Sequence, residues 1–193
     1  MRLVDPRLSA ATVGVAGLGG LGSVVAVILA RAGIGRLVLV DHDVVEAGNL
    51  DRQHYFIDQV GLPKVDALQA TIRRISTQVQ VVIHRASLDR GNIPSLFAGS
   101  HLIVECLDRP DQKQMLVETI LACMTQPVIA ASGIAGLGDS NAIKTRRFSN
   151  RLIVVGDEQS DAYAGLPLCP GRVWIAASHQ ANAAISLLLG LEP

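Results

Sequence analysis

No Cys-x-x-Cys pair occurs in this chain, whose three cysteines, Cys106, Cys123 and Cys169, stand far apart. An odd count without close pairs encodes neither a disulfide framework nor a four-cysteine zinc site, and it fits a reducing cytoplasm. Net charge is equally missing, because 17 Lys and Arg face 17 Asp and Glu. A polynucleotide partner draws its affinity from an excess of cations, so nucleic-acid binding has no support. Charge of either sign is absent between Arg7 and Arg31, an interval that a hydropathy scan offers as a signal peptide or a membrane span. Gly14, Gly17, Gly19, Gly20 and Gly22 break it at loop spacing, and a strand covered on both faces is also continuously apolar. The run therefore reads as core, with no membrane partner expected. Internal repeats and low-complexity segments are lacking too.

The 193 residues suffice for one α/β domain with a full core, so a single domain over 1–193 is expected. Strand and helix patterns alternate: strand near 12–16, helix near 20–32, strand near 36–40, helix near 64–76 and strand near 79–84. A short helix near 92–98, a strand over 101–106, a helix near 111–124 and a strand over 127–131 follow. This rhythm predicts a Rossmann-like three-layer α/β fold with six or more strands in a mostly parallel central sheet. Two strands over 141–148 and 151–156, joined through Ser149-Asn150 as a tight hairpin, predict a C-terminal antiparallel extension. Gln159 to Gly171 reads as irregular, and a helix over about 172–189 closes the chain.

Gly17, Gly19 and Gly22, with Gly20 between them, fit G-x-G-x-x-G between a β-branched strand and a helix. Backbone amides there can approach a phosphate at the positive end of a helix. Asp41 ends the second strand about 20 residues after that loop, where a carboxylate can accept ribose hydroxyls. The segment beyond it, Asp41-His-Asp43-Val-Val-Glu46, then Asn49-Leu-Asp-Arg52-Gln53, then Gly61-Leu-Pro-Lys64, is too polar for a plain crossover. Arg52 offers a forked donor and Lys64 a point charge, a pair suited to offset charge that builds up during displacement at phosphorus. Asp108 follows a buried-strand pattern at its carboxyl end, the usual ligand edge of an open α/β sheet.

These spaced motifs, taken with Ala130-Ala-Ser-Gly133 and the last helix, resemble the ThiF/MoeB group of adenylyltransferases, bacterial relatives of ubiquitin-activating enzymes. The likeness is greatest to the short ThiF-like subgroup of thiamine biosynthesis. The resemblance implies that the C-terminal Gly-Gly carboxylate of a ThiS-like, ubiquitin-fold sulfur carrier attacks the α-phosphate of ATP. By the same resemblance Asp41, with Asp43 beside it, holds the ribose and the glycine loop lies against the phosphates. Arg52 and Lys64 bind phosphate, Asn49 and Gln53 support them, and Asp108 helps hold Mg²⁺. Arg52, Lys64 and Asp108 are then the catalytic set, ATP and Mg²⁺ the cofactors, and a homodimer is implied.

Plainer readings stand beside these. The glycines can serve a turn alone, Asp41 a cap, Arg52 and Lys64 a solvated surface, and Asp108 a helix N-cap. Cys106 and Cys123 read as core, and Cys169 alone lies where it could be reached. His179 takes no role. Lys144 and Arg146 share one face of a strand and Arg147 takes the other, which fits a charged edge or a docking surface for an acidic carrier.

Three departures from the family pattern matter. Zinc-binding cysteine pairs are missing, so no zinc is expected. Arg109 follows Asp108 where relatives commonly carry Asn. Only about a dozen residues precede the first strand, where relatives have a helix whose arginine reaches the neighbouring subunit; Arg2 or Arg7 would have to substitute. Three other functions compete: a non-catalytic nucleotide- or carrier-binding relative, a nicotinamide-dependent oxidoreductase, and an enzyme activating a carboxylate on modified tRNA.

Overall fold

The computed structural model describes residues 5–193. Seven strands form one sheet: β1 (Thr12–Ala16), β2 (Arg36–Asp41), β3 (Gln80–Arg85), β4 (Leu102–Glu105), β5 (Val128–Ala131), β6 (Lys144–Ser149) and β7 (Leu152–Gly156). Their spatial order is β3-β2-β1-β4-β5-β7-β6, and only the β6–β7 pair is antiparallel. Among the described residues six α-helices accompany them: α1 (Pro6–Ser9), α2 (Gly20–Ala32), α3 (Lys64–Ile75), α4 (Ile93–Leu96), α5 (Pro110–Cys123) and α6 (Pro170–Leu188). The Rossmann-like α/β expectation holds, with seven strands and the antiparallel extension at one edge.

Strand periodicity sorts the apolar side chains into two layers. Val13, Val15, Leu37, Leu39, Leu102 and Val104 pack with α2, α3 and α6. Val38, Val40, Ile103 and Val128 point the other way, against Phe97 and the α5 residues Leu116 and Ile120. Because side chains alternate along a strand, β1 and β2 are buried on both faces, which explains their unbroken apolar reading. The chain steps outward from β1 to β2 and β3, then returns to lay β4 on the other side of β1. Ligands of open α/β sheets sit at such a reversal, beyond the carboxyl ends of the strands. The glycine loop follows β1, and Asp108 follows β4.

Some local expectations need correction. The hairpin turn is the tight two-residue one expected but lies one residue later, at Asn150-Arg151, because β6 runs to Ser149 and β7 starts at Leu152; the ladder is irregular between Arg147 and Ser149. Cys123 is exposed rather than core, since it is the last residue of α5. Arg7 does lie on a helix, though one of 4 residues, and its guanidinium is held by Asp5 and the Leu189 carbonyl. Arg2 lies outside the described residues. Among those described, no helix is long and apolar enough to cross a membrane.

Candidate nucleotide site

The glycine loop turns sharply out of β1. Gly17 takes φ +87°, a conformation that costs a residue with a Cβ, and a Cβ there would lie 2.8 Å from the Cys106 carbonyl oxygen. At Gly22 a Cβ would stand 1.9 Å from the Gly17 carbonyl oxygen, so the strand, loop and helix could not close up. The turn thus accounts for these two glycines without any ligand. Gly19 differs, since a Cβ there would meet only the Gln53 amide nitrogen, at 3.8 Å. That residue is the N-cap of α2 and has no side chain with which to cap it. The first-turn amides of a 13-residue helix are left facing outward, an arrangement that favours an anion.

Leu18, between two of the glycines, is gripped from both sides. Its N–H donates to Asp41 Oδ2 at 2.6 Å, and its carbonyl accepts from the Tyr55 hydroxyl at 2.8 Å. The other Asp41 oxygen accepts the Asp43 N–H at 2.8 Å, so this buried carboxylate braces two turns. The turn-capping reading of Asp41 is therefore correct as far as it goes, and it leaves one lone pair on each oxygen for a ligand. Burial first, and then the charges of Asp41 and Asp43, raise the Tyr55 phenol far above its ordinary value. Tyr55 remains a donor.

Beyond Asp41 lies a cleft of about 330 Å³ lined by His42, Asp43, Val44, Glu46, Asn49 and Lys64. The Lys64 ammonium is buried and meets Asp43 Oδ2 at 2.8 Å. Asn49 Oδ1 accepts the Glu46 N–H at 3.1 Å and tightens the turn. Arg52 lies against the first turn of α2, its Cγ 3.7 Å from where a Gly20 Cβ would be. Its guanidinium turns back onto Asp51 at 2.7 Å and the Gly48 carbonyl at 3.2 Å. Gln53 is buried beside the loop, and its Oε1 has no partner. A buried carbonyl oxygen left unmatched beside the glycine loop is a place for a ligand donor.

Asp108 is exposed just past β4 and has no hydrogen bond or ion pair among the described residues. Arg109, not Asp108, is the N-cap of α5, so the capping alternative fails. Its turn is built by a pair that sequence reasoning missed. Glu105 is fully buried and accepts from the Leu107 N–H at 2.7 Å, while Lys113 bridges both Glu105 oxygens at 2.8 Å and the Leu107 carbonyl at 3.0 Å. A carboxylate ending the apolar run Leu102-Ile-Val-Glu105 is the signal that was available. Asp41, His42 and Asp43 are the one group of three metal-capable side chains close together among the described residues. Asp43 is tied to Lys64 and Asp41 to backbone amides, so Asp108 is the carboxylate at this edge with no protein partner to displace.

The expected residues thus gather along one sheet edge. Asp41 bonds to Leu18, Arg52 touches the start of α2, Lys64 joins Asp41 through Asp43, and Asp108 follows the segment packed on Gly17. Cys106 is buried, and burial, followed by the Glu105 charge, pushes its thiol well up, which removes it as a nucleophile. His179 meets Thr145 at 3.0 Å, away from this edge. Lys144 and Arg146 share a second cleft of about 300 Å³, confirming their common face, while Arg147 pairs with Glu192.

Known proteins share this chain's sequence pattern and its fold. "Adenylyltransferase and sulfurtransferase uba4" of Pyricularia oryzae is 34% identical over 140 residues, which are 72% of this chain and 28% of that protein. "Molybdopterin-synthase adenylyltransferase" of Salmonella typhimurium is 38% identical over 129 residues, 66% of this chain and 51% of the relative. The chain therefore spans between about a quarter and about half of these curated relatives. Among solved structures, the E. coli tRNA N6-threonylcarbamoyladenosine dehydratase TcdA in complex with ATP superposes with a TM-score of 0.86, covering 95% of this chain and 87% of that one. At 21% identity that likeness speaks for the fold. The model of the ThiF family matches residues 5–192, essentially the whole chain, and the protein belongs to that family.

Proposed function

We propose that this protein is an ATP-dependent adenylyltransferase that activates the C-terminal carboxylate of a small ubiquitin-fold sulfur carrier. One observation carries the reading: an uncapped helix N-terminus, an arginine, a buried lysine and an unpartnered carboxylate border one sheet edge. The α2 amides and Arg52 hold phosphate oxygens, Lys64 adds a second cation, and Asp41 turns its remaining lone pairs to the ribose. A carrier carboxylate oxygen attacks the α-phosphorus, the bond to the pyrophosphate bridging oxygen breaks, and pyrophosphate leaves with that electron pair. Charge that accumulates on the phosphate oxygens is met by fixed donors. Asp108 would hold Mg²⁺, which supplies further charge neutralisation and needs only one carboxylate besides phosphates and waters.

The finer assignment is a ThiS-like carrier in thiamine biosynthesis, handled by a homodimer. Its support is the order and spacing of the motifs from Gly17 to Asp108. The test is exchange of labelled pyrophosphate into ATP with a panel of Gly-Gly-terminated carriers. Exchange with a ThiS-like carrier alone supports the full assignment, and exchange with another carrier corrects the partner. A second reading, nucleotide binding without adenylation, is favoured by one fact: Arg52 and Lys64 are each paired with a carboxylate of their own segment, Asp51 and Asp43. ATP binding without exchange on any carrier selects it.

A further inference from the structure

The chain has a single tryptophan, and it touches the segment that carries Arg52. Trp174 is the fifth residue of α6, 41% exposed, and its indole N–H donates to the Arg52 carbonyl at 2.8 Å across 122 residues of sequence. The other side of the same peptide segment is held too, since the Arg52 N–H donates to the Asn49 carbonyl at 3.3 Å. The His54 ring lies 5.8 Å from the indole, and the His54 N–H donates to Ser23 of α2. Next to Trp174, Val173 packs so close to α2 that a Cβ at Gly20 would come within 2.9 Å of it. Three segments therefore meet at this point: the start of α2, the Arg52 loop and the start of α6.

The α6 turn is itself pinned. Arg172 is 6% exposed and donates to Asp157 at 2.5 Å and to the carbonyls of Gly138 and Asp139 at 3.0 Å. Asp157 in turn accepts the amides of Gln159 and Ser160 at 2.8 Å. A buried, multiply bonded pair of this kind fixes geometry more than it adds stability. By contrast, the Arg52 guanidinium is parked on Asp51 and Gly48, partners it must exchange to meet a ligand. A side chain that swings from a fixed backbone loses less freedom on binding than one on a loose loop.

We propose that Trp174 is a positioning residue for Arg52: its indole N–H, on an α6 turn fixed by the Arg172–Asp157 pair, holds the Arg52 carbonyl and sets where the guanidinium can reach. That the guanidinium reaches nucleotide phosphate rests on the function proposed above. Trp174→Phe keeps the ring against His54 and removes the donor. Calorimetric titration of the full chain with Mg²⁺-ATP should show the Kd rising by about three- to tenfold in Trp174→Phe, the range of one lost hydrogen bond. In an Arg52→Ala background the same change should move the Kd by less than about twofold, because the effect travels through Arg52. Emission from the lone tryptophan should change on ATP addition in the native protein and stay flat in Arg52→Ala, a readout that needs no alteration of Trp174. Equal losses in both backgrounds, no loss in either, or an emission change that survives Arg52→Ala would overturn the inference. A native chain that does not bind ATP at all refutes the nucleotide reading itself, which the first titration reveals separately.

Discussion

Leu18 donates its N–H to Asp41 at 2.6 Å, so the carboxylate expected to meet a ribose is also what shapes the phosphate loop. Asn at 41 offers one acceptor oxygen where the buried Leu18 amide and the part-buried Asp43 amide now take one each. Asp41→Asn should therefore cost about 1–3 kcal/mol in urea unfolding, the penalty of a buried donor left unmatched, and weaken ATP binding as well. Unchanged stability would show that the loop does not depend on this carboxylate.

Tyr55→Phe removes the other grip on Leu18 while preserving the ring. A loss of about 1 kcal/mol is expected for one buried hydrogen bond, together with faster amide exchange in peptides covering 17–22. Exchange that stays as slow as in the native chain would count against the two-sided clamp.

Arg52→Ala should lower carrier-dependent pyrophosphate exchange by about 10²–10³-fold, as removal of one transition-state donor does, and Asp108→Ala should abolish it. Both should leave the thermal midpoint within experimental error, because Asp108 is exposed and the Arg52–Asp51 pair is a surface contact. A large drop in midpoint would reassign either residue to structure.

Glu105→Gln leaves the Lys113 ammonium without its counter-charge beneath the Asp108 turn. A penalty of about 3–5 kcal/mol is expected from breaking such a pair, and the Glu105→Gln/Lys113→Met double variant should recover part of it. A double variant no more stable than Glu105→Gln alone would contradict the pairing.

Acid should loosen the α6 anchor. Burial by itself raises the Asp157 carboxyl, but the Ser160 and Gln159 amides together with Arg172 outweigh it and hold the group below its ordinary 3.8. A depressed carboxyl lends stability that is complete above the unfolded value and disappears as pH falls through the folded one. Native protein and Asp157→Asn should therefore differ in urea midpoint at pH 6 and converge as pH drops below about 4. Parallel pH curves would remove Asp157 from this role.

Periodicity made most of the fold legible. Short, continuously apolar and β-branched runs such as Leu37-Val-Leu-Val-Asp41 read as a strand buried on both faces, and the helix from Gly20 follows from glycines at a turn. The site was legible where spacing along the chain brought groups together, from Asp41 to Lys64. What stayed hidden was contact across long separations. Trp174 meets Arg52 122 residues away, Gln180 meets the Glu105 carbonyl 75 away, and nothing local marks either partner. Burial of Lys64 was equally hidden, because a lysine reads as solvated until Asp43 is seen beside it.

The strict alternation of β1 between two packed layers limits length as well as composition. Deleting one residue between Thr12 and Ala16 would exchange the layers of every side chain beyond it and drag Gly17 off the Cys106 carbonyl. Insertions and deletions should be refused there and accepted in the irregular stretch between Asp157 and Pro170, so natural length variation among relatives belongs on that side of the molecule.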